Sequence, residues 1–576
     1  MIWREKECDE GAIKALVDSR DGLDALRARV LAIRGVTPET LDEYFAAPIS
    51  ALSRPDDLPG AVDAAAAILR HVEAKGKIVV FGDYDCDGIC AAAILHKAIE
   101  AVSPGTSTVF LPDRLGEGYG MSEKSVGRML SENPGVTLVV TVDNGIGSAD
   151  EVRLLSEKGV ECVVTDHHLP GEVLPECIVV DPKVASTPRT DTLCGAGVAF
   201  MLAGALVRLA REKGIYEGAN IGGPLLVLAG IATVGDIMPL SGDNRIIVRE
   251  SLARFWRYAP PGVKELLARA LRTTPENLTS VDYAFRIVPR INADGRLASG
   301  MDAMKLVMTD NREEARRLAV AVDARNVERK SIEQSMSEKA FALVEKDAPA
   351  QVIEITDGHK GVVGIVASRV MDSNVLGKRA PVAIAVGRHG SVRAPEGYNA
   401  RDALAAAAVA LDHFGGHAAA GGFTVKEGMF AEFKRLFREA CAAQAAAMPP
   451  GAESTKTFDA WISPKDVTLD FAKWIKNLEP FGEGNPEPLF ALKGVYISNA
   501  KPLGADGKHV SFSLKTVPAL RCVWWGHGED VEDLRIGSSF SCDIAFRIAI
   551  SNYGEPHPEL EIVDMGADWS NDRPTK

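Results

Sequence analysis

The stretch Lys77–Gly88, "KIVVFGDYDCDG", decides how this chain is read. Asp83, Asp85 and Asp87 followed by Gly88 copy the opening of a calcium-binding EF-hand loop. The remainder of such a loop is missing. A bidentate Glu belongs at its twelfth position, where this chain has Ile94, and a helix belongs in front of it. What stands in front is "KIVVF", a short β-branched apolar run of the kind that forms a buried strand. Behind the loop, "ICAAAILHKAIEA" (Ile89–Ala101) is apolar at helical spacing. Strand, acidic loop and helix in that order predict an α/β sheet, whose functional groups gather beyond the carboxyl ends of the strands.

The same unit recurs. "TLVVTVDNG" (Thr137–Gly145) is a second strand pattern running into Asp143, and "ECVVTDHH" (Glu161–His168) a third running into Asp166, His167 and His168. Between them, Ser148 and Glu151 have capping-box spacing and Gly159 stands at the expected C-terminal position of a helix. "CIVVDPK" (Cys177–Lys183) is a further strand. Alternation of this kind predicts a mostly parallel sheet with helices on both faces. "LAGIATVGDIMPL" (Leu228–Leu240) adds Asp236 after another apolar stretch.

Taken alone, an Asp at a strand end is more often a turn former or a helix cap, and a lone His is more often structural. Several strand ends supplying only O and N donors, without a thiolate, read differently. Converging carboxylates repel one another unless cations neutralise them. The donor set suits Mn²⁺ or Mg²⁺, with imidazole tilting the choice toward manganese. There are donors enough for two ions, about 3.5–4 Å apart in sites that perform in-line attack on phosphate esters. The chemistry expected is hydrolysis of a phosphoester or phosphoanhydride by a metal-activated hydroxide.

With 576 residues the chain is too long for one core, and about three or four domains are expected. Its 46% hydrophobic and 25% charged residues are those of an ordinary globular protein. The opening "MIWREKECDE" is charged where a signal peptide is apolar, and no apolar run reaches membrane-spanning length. Nine scattered cysteines without a CxxC pair argue against a disulfide framework or zinc site and for a reducing cytoplasm. A net charge of −14 argues against a protein that coats nucleic acid by bulk electrostatics. It leaves room for a metal-loaded cleft with a local basic wall.

Further along, residues 311–347 are dense in charge and hold neither Gly nor Pro. They predict one helix about 35 residues and ~50 Å long. Residues 348–450 carry two Gly-rich segments and "GSVRA" (Gly390–Ala394), where close backbone amides and the donors of Ser391 and Arg393 suit an anion. In residues 453–576, "VSFSL" (Val510–Leu514) and "FSCDIAFRI" (Phe540–Ile548) alternate as half-buried antiparallel strands do. A small OB-like β-barrel is expected there, with Tyr496, Trp524 and Trp525 either stacking bases or filling the barrel. Residues 1–50 read as helical and carry no motif.

"GDYDCDG", "TVDNG", "VTDHH" and "VGDIMPL" resemble the motifs of the DHH phosphoesterase superfamily. "LPDRLGEGYG" (Leu111–Gly120), "LCGAGVAF" (Leu193–Phe200), "PRINADGRL" (Pro289–Leu297), "GVVGIVASR" (Gly361–Arg369), "GSVRA", "FGGHAAAGG" (Phe414–Gly422) and "LEPFGEGNPEP" (Leu478–Pro488) narrow the resemblance to the RecJ family, bacterial exonucleases specific for single-stranded DNA. It runs from about residue 50 to the end, with the motifs in order. Phe81, Asp294 and Ala394 depart from the residues common there, which are His, Ala and Ser.

After the helical segment 1–50, the resemblance implies a catalytic DHH domain (51–310), a connector helix (311–347), a DHH-associated α/β domain (348–450) that closes over the substrate, and the OB-like barrel (453–576). It implies a 5′→3′ exonuclease that cuts single-stranded DNA to short products or mononucleotides in repair and recombination. Asp83, Asp85, Asp87, Asp143, His167 and Asp236 would hold two Mn²⁺ or Mg²⁺ ions, with Asp143, His167 and His168 catalytic. Arg114, Tyr119, Arg290, Asn292, Arg296, His359, Ser368, Arg369, Ser391, Arg393 and His417 would bind the strand. The partners implied are a single strand with a 5′ end, a single-strand-binding protein and a repair helicase, around a cytoplasmic monomer. A small-molecule phosphodiesterase or oligoribonuclease of the superfamily would lack residues 453–576, and a scaffold without activity would lack the intact donor set.

Overall fold

Five parallel strands form the sheet expected around "KIVVF". Across the sheet they run Ser107–Phe110, Lys77–Phe81, Val136–Val142, Glu161–Thr165 and Ile178–Val180. These positions belong to a computed structural model that describes residues 3–114, 116–118, 120–271, 278–373, 380–448, 456–536, 541–551 and 555–566. Burial on both faces explains the apolar runs. Val79, Phe81, Val139 and Val164 pack with Val126, Met129, Val152 and Leu155 from the helices Glu123–Glu132 and Ala149–Glu157. The helices Cys86–Val102 and Gly195–Glu212, which pack on each other, are also buried along most of their length. The strand Ser107–Phe110 is the one the sequence did not announce, because "STVF" is too short for a pattern.

One local expectation changed. Ser148 stands at the N-cap of Ala149–Glu157 but makes no side-chain cap bond, so the capping box does not close. Its backbone (φ −105°, ψ 46°) lies outside the extended region a capping side chain needs. Gly159 does take the left-handed conformation at the helix end, φ 72°. The apolar stretch before Asp236 is a helix, Gly222–Gly235, with Asp236 as its C-cap.

The connector is one helix, Arg312–Ala342, its start capped by Asn311 accepting from the amides of Glu313 and Glu314. It stops short of the expected residue 347. Gln351 takes over the backbone there, donating to the Glu345 carbonyl at 2.7 Å and accepting from the Glu345 amide at 2.9 Å. Ala315, Leu318 and Val322 are buried near its start, and Met336 and Ala340 near its end join Ile353, Val363 and Ile384 in the next domain's core. Asp294, one of the departures, is buried between Arg325 of this helix and the Ala303 amide, so its charge is compensated. Phe81 packs on Phe110 at 5.0 Å, and Ala394 is buried.

The next domain is a mixed five-stranded sheet ordered Leu411–Gly416, Ala420–Val425, His389–Arg393, Val382–Val386 and Gln351–Ile355. In the C-terminal region the strands Phe490–Leu503, His509–Leu514, Val517–Trp524, His557–Met565 and Ser541–Ser551 pair in sequence, and the last pairs back to the first. That closure makes the OB-like barrel. Residues 1–50 share its core: Ile13, Leu16, Leu31 and Leu41 pack with Phe471, Phe490, Phe512 and Phe546. The strand Trp3–Glu5 also pairs in parallel with Lys456–Phe458. The chain accordingly forms two compact units, Ser53–Met238 with Glu250–Pro450, and Met1–Leu52 with Pro239–Arg249 and Gly451–Lys576. Among the described residues no helix is long and apolar enough to cross a membrane, and all nine cysteines are unbridged.

Candidate active site

All of the candidate metal ligands lie in the first unit, beyond the carboxyl edge of the parallel sheet. Asp83, Asp85 and Asp87 follow the strand Lys77–Phe81, Asp143 follows Val136–Val142, and Asp166, His167 and His168 follow Glu161–Thr165. Three overlapping groups bring their donor atoms within 4.8 Å of one another: Asp83, Asp85 and Asp143; Asp143, His167 and His168; Asp87, His167 and Asp236. His167 Nε2 is 3.1 Å from Asp143 Oδ1 and 3.6 Å from both Asp87 Oδ2 and Asp236 Oδ2. Asp143 and His167 each belong to two groups, so they sit at the centre of the cluster.

Local backbone geometry holds these donors in place. Asp85 is the N-cap of Cys86–Val102, accepting from the amides of Asp87 and Gly88. Asp87 accepts from the amides of Gly195 and Ala196 at 2.7 and 2.8 Å, the exposed donors at the start of another helix. Asp143 adopts φ 62°, a left-handed conformation that Asp tolerates better than most residues. Gly195 is required beside it, since a Cβ there would lie 2.5 Å from Asp143 Cβ.

The donor set fits hard divalent cations. Both carboxylate oxygens of Asp83 are buried without a hydrogen bond to any described residue, a costly arrangement unless a cation takes them. Burial, then repulsion from Asp85, pushes Asp83 well above the usual carboxylate range, and burial with Asp87 does the same to Asp143. Asp236 is pushed up to about 8, again by burial first and Asp87 second. Bound cations oppose these shifts, so loading favours the ionised carboxylates that ligate. Burial lowers His167, which leaves its imidazole neutral, the form that ligates.

His168 is handled differently. Its Nδ1 is 2.7 Å from Asp166 Oδ1, and Asp166 is itself fixed by the amides of His167 and Ile146. Burial works against protonation of His168, but the Asp166 bond outweighs it and raises the imidazole to about 9. Asp166, though buried, is held below its ordinary value by the same bond and the two amides. Nδ1 is thereby committed to Asp166. Asp166 was legible as part of the triplet but not as the residue that orients it. Asp181, at the same sheet edge, is raised to about 6 chiefly by burial; "CIVVDPK" was read only as a strand.

A second cluster is cationic. Arg114 lies close enough to depress both Arg296 and Arg393: after burial it is the next cause lowering Arg296, to about 10, and Arg393. Arg393 donates to Ser391 Oγ and to the Val392 carbonyl, both at 2.8 Å. Gly364 leaves it room, since a Cβ there would lie 2.7 Å from Arg393 Nη2. Arg296 donates to the Gly361 carbonyl, and His359 Nδ1 accepts from the Gly361 amide. The catalytic and DHH-associated domains meet here, with guanidinium groups from both.

Other candidates for strand binding are held by the protein itself. Arg290 pairs with Asp323 and Arg369 with Glu333, both acids on the connector helix. Asn292 Oδ1 accepts from the Cys86 amide, steadying the acidic loop, and Ser368 bonds back to Gly364 in its own helix. His417 lies in the exposed turn between Leu411–Gly416 and Ala420–Val425. Tyr119 lies outside the described residues. In the barrel, Trp524 is buried and stacked on His527 at 3.7 Å, while Tyr496 and Trp525 are exposed.

Comparison with known proteins bears on all three regions. Family models described as "DHH family, N-terminal domain", "DHHA1 domain" and "RecJ OB domain" match residues 77–231, 347–443 and 458–564. The chain is 38% identical over 468 residues to the single-stranded-DNA-specific exonuclease RecJ of Thermus thermophilus, covering 81% of this chain and 66% of that protein. With the Escherichia coli protein of that name it shares 33% identity over 511 residues, 84% of this chain and 85% of that one. The crystal structure of Thermus thermophilus RecJ in complex with Mn²⁺ superposes with a TM-score of 0.82 at 30% identity, covering 98% of this chain and 79% of that one. The Mg²⁺ complex gives 0.77 at 28% identity, covering all of this chain and 79% of that one.

Proposed function

The chain belongs to the RecJ family, and on that premise we propose that it degrades single-stranded DNA from the 5′ end by metal-assisted hydrolysis, in repair and recombination. The single observation that carries this reading is the pairing of a buried carboxylate–histidine cluster with a cationic pocket where two domains meet. Manganese or magnesium ions held in that cluster would supply Lewis acidity and an activated water for attack on phosphorus. The side chains proposed to hold them are Asp83, Asp85, Asp87, Asp143, His167 and Asp236. Asp85 and Asp87 are fixed by helix-start amides, so the acidic loop does not rearrange when charge arrives. His168, oriented and raised by Asp166, donates a proton to the leaving oxygen or a hydrogen bond to the charge developing on phosphorus.

Arg114, Arg296, Ser391 and Arg393 are proposed to bind the 5′-terminal phosphate. A terminal phosphate carries more charge than an internal diester, a difference that a cluster of guanidiniums distinguishes. Strand selectivity then follows from shape, because a duplex is far wider than one strand. The barrel adds grip on the trailing strand without sequence preference, through Tyr496 and Trp525. The products are mononucleotides or short oligonucleotides. A helicase that exposes the strand and a single-strand-binding protein that keeps it open are the partners this chemistry calls for, around a cytoplasmic monomer.

Single-turnover cleavage of 5′-phosphorylated and 5′-hydroxyl single strands tests the pocket. Arg393→Ala should lower the preference for the phosphorylated end by about tenfold or more, as loss of one charge-assisted bond implies. Cleavage at internal positions should change less. An unchanged preference means that the end is sensed elsewhere.

A further inference from the structure

The end of the helix Gly222–Gly235 breaks a rule. The Ile237 amide donates to the Val234 carbonyl and the Met238 amide to the Thr233 carbonyl, the two bonds of a Schellman motif. The residue after the C-cap in that motif is left-handed and is usually Gly. Here it is Ile237, at φ 57°, a β-branched side chain where such a conformation is an outlier. The side chain is also 71% exposed, so no burial offsets the strain. Strain held without a packing reason points to a function at that place.

Its place is next to the metal cluster. Ile237 directly follows Asp236, whose Oδ2 is 3.6 Å from His167 Nε2. Leu169 likewise directly follows His168 and is 67% exposed. A phosphodiester held at these donors carries a nucleoside on either oxygen. A side chain one residue from a ligand, about 3.8 Å away along the backbone, lies within reach of that nucleoside.

We propose that Ile237 is a substrate-binding residue whose side chain packs against the nucleobase and deoxyribose beside the scissile phosphate. This rests on the single-strand exonuclease reading given above. Glycine would fit the backbone better, but it would remove this contact. The contact is apolar and carries no base preference. It adds to the grip on the backbone a sense of whether the nucleotide entering the site carries a base. Leu169 is the corresponding apolar surface next to His168.

The test compares the full chain with Ile237→Gly on two 5′-phosphorylated single strands, one complete and one with abasic residues at its first two positions. Ile237→Gly should melt about 2 °C or more above the parent, since it relieves the left-handed isoleucine. Its kcat/KM on the complete strand should fall about tenfold, the order expected for loss of one apolar side-chain contact. On the abasic strand it should stay within about twofold of the parent. Equal losses on both strands, or no loss on either, overturn the proposal. A lowered melting temperature also overturns it, because Ile237 would then be packing against the protein. If the parent cuts neither strand, the exonuclease reading itself fails, which a selective failure of Ile237→Gly does not imply.

Discussion

Replacing Asp143 by alanine should lower single-turnover cleavage of a 5′-phosphorylated single strand by roughly a thousandfold or more. Asp143 is shared between two of the three ligand groups, so its loss weakens both halves of the centre at once. The fold should survive. Removing a buried carboxyl that burial already pushes toward protonation relieves electrostatic strain. Binding of single strands should survive as well, since the cationic pocket and the barrel remain. Gel-resolved cleavage beside a binding titration separates these effects, and a variant retaining a tenth of the parent rate would show that the centre lies elsewhere.

Asp166→Asn should act through pH. Asp166 raises His168 to about 9, so the imidazole is protonated through the neutral range and loses its proton only as pH rises through that value. Without the carboxylate, His168 returns toward its ordinary value of about 6.5. At pH 8 the protonated fraction then drops about thirtyfold, and the rate should drop with it. Near pH 6, where His168 is protonated in both proteins, most of the difference should vanish. Rate profiles between pH 5.5 and 9 read this directly. A loss of constant size across the range would mean that Asp166 only shapes the loop.

Most of the parallel sheet was legible because its strands are written as β-branched apolar runs, three of which end in candidate ligands, whereas Ser107–Phe110 was not. Asp236 was found for its type and position, although the stretch before it is a helix. Other features could not be read locally. Ile13, Leu16 and Leu31 looked like unassigned helical residues because their partners, Phe471 and Phe512 among them, lie more than four hundred positions away. Arg290 and Arg369 looked like strand-binding cations because nothing near them in sequence shows that Asp323 and Glu333 pair with them. The connector seemed to run to residue 347 because no Gly or Pro stops it, whereas the helix ends at Ala342 and Gln351 holds the backbone at Glu345 just beyond. Ile237 carries no sequence signal, since only the backbone shows that a glycine position holds an isoleucine.

The central claim is a metal-dependent exonuclease that enters single strands at the 5′ end. One 5′-phosphorylated oligonucleotide, labelled at either end and followed with Mn²⁺ or Mg²⁺ and after chelation, tests it most directly. The 5′ label should leave at once as a short product while the 3′-labelled strand shortens progressively, a blunt duplex should remain whole, and chelation should stop everything. Early release of the 3′ label, digestion of the duplex at a comparable rate, or cleavage that survives chelation would contradict the account.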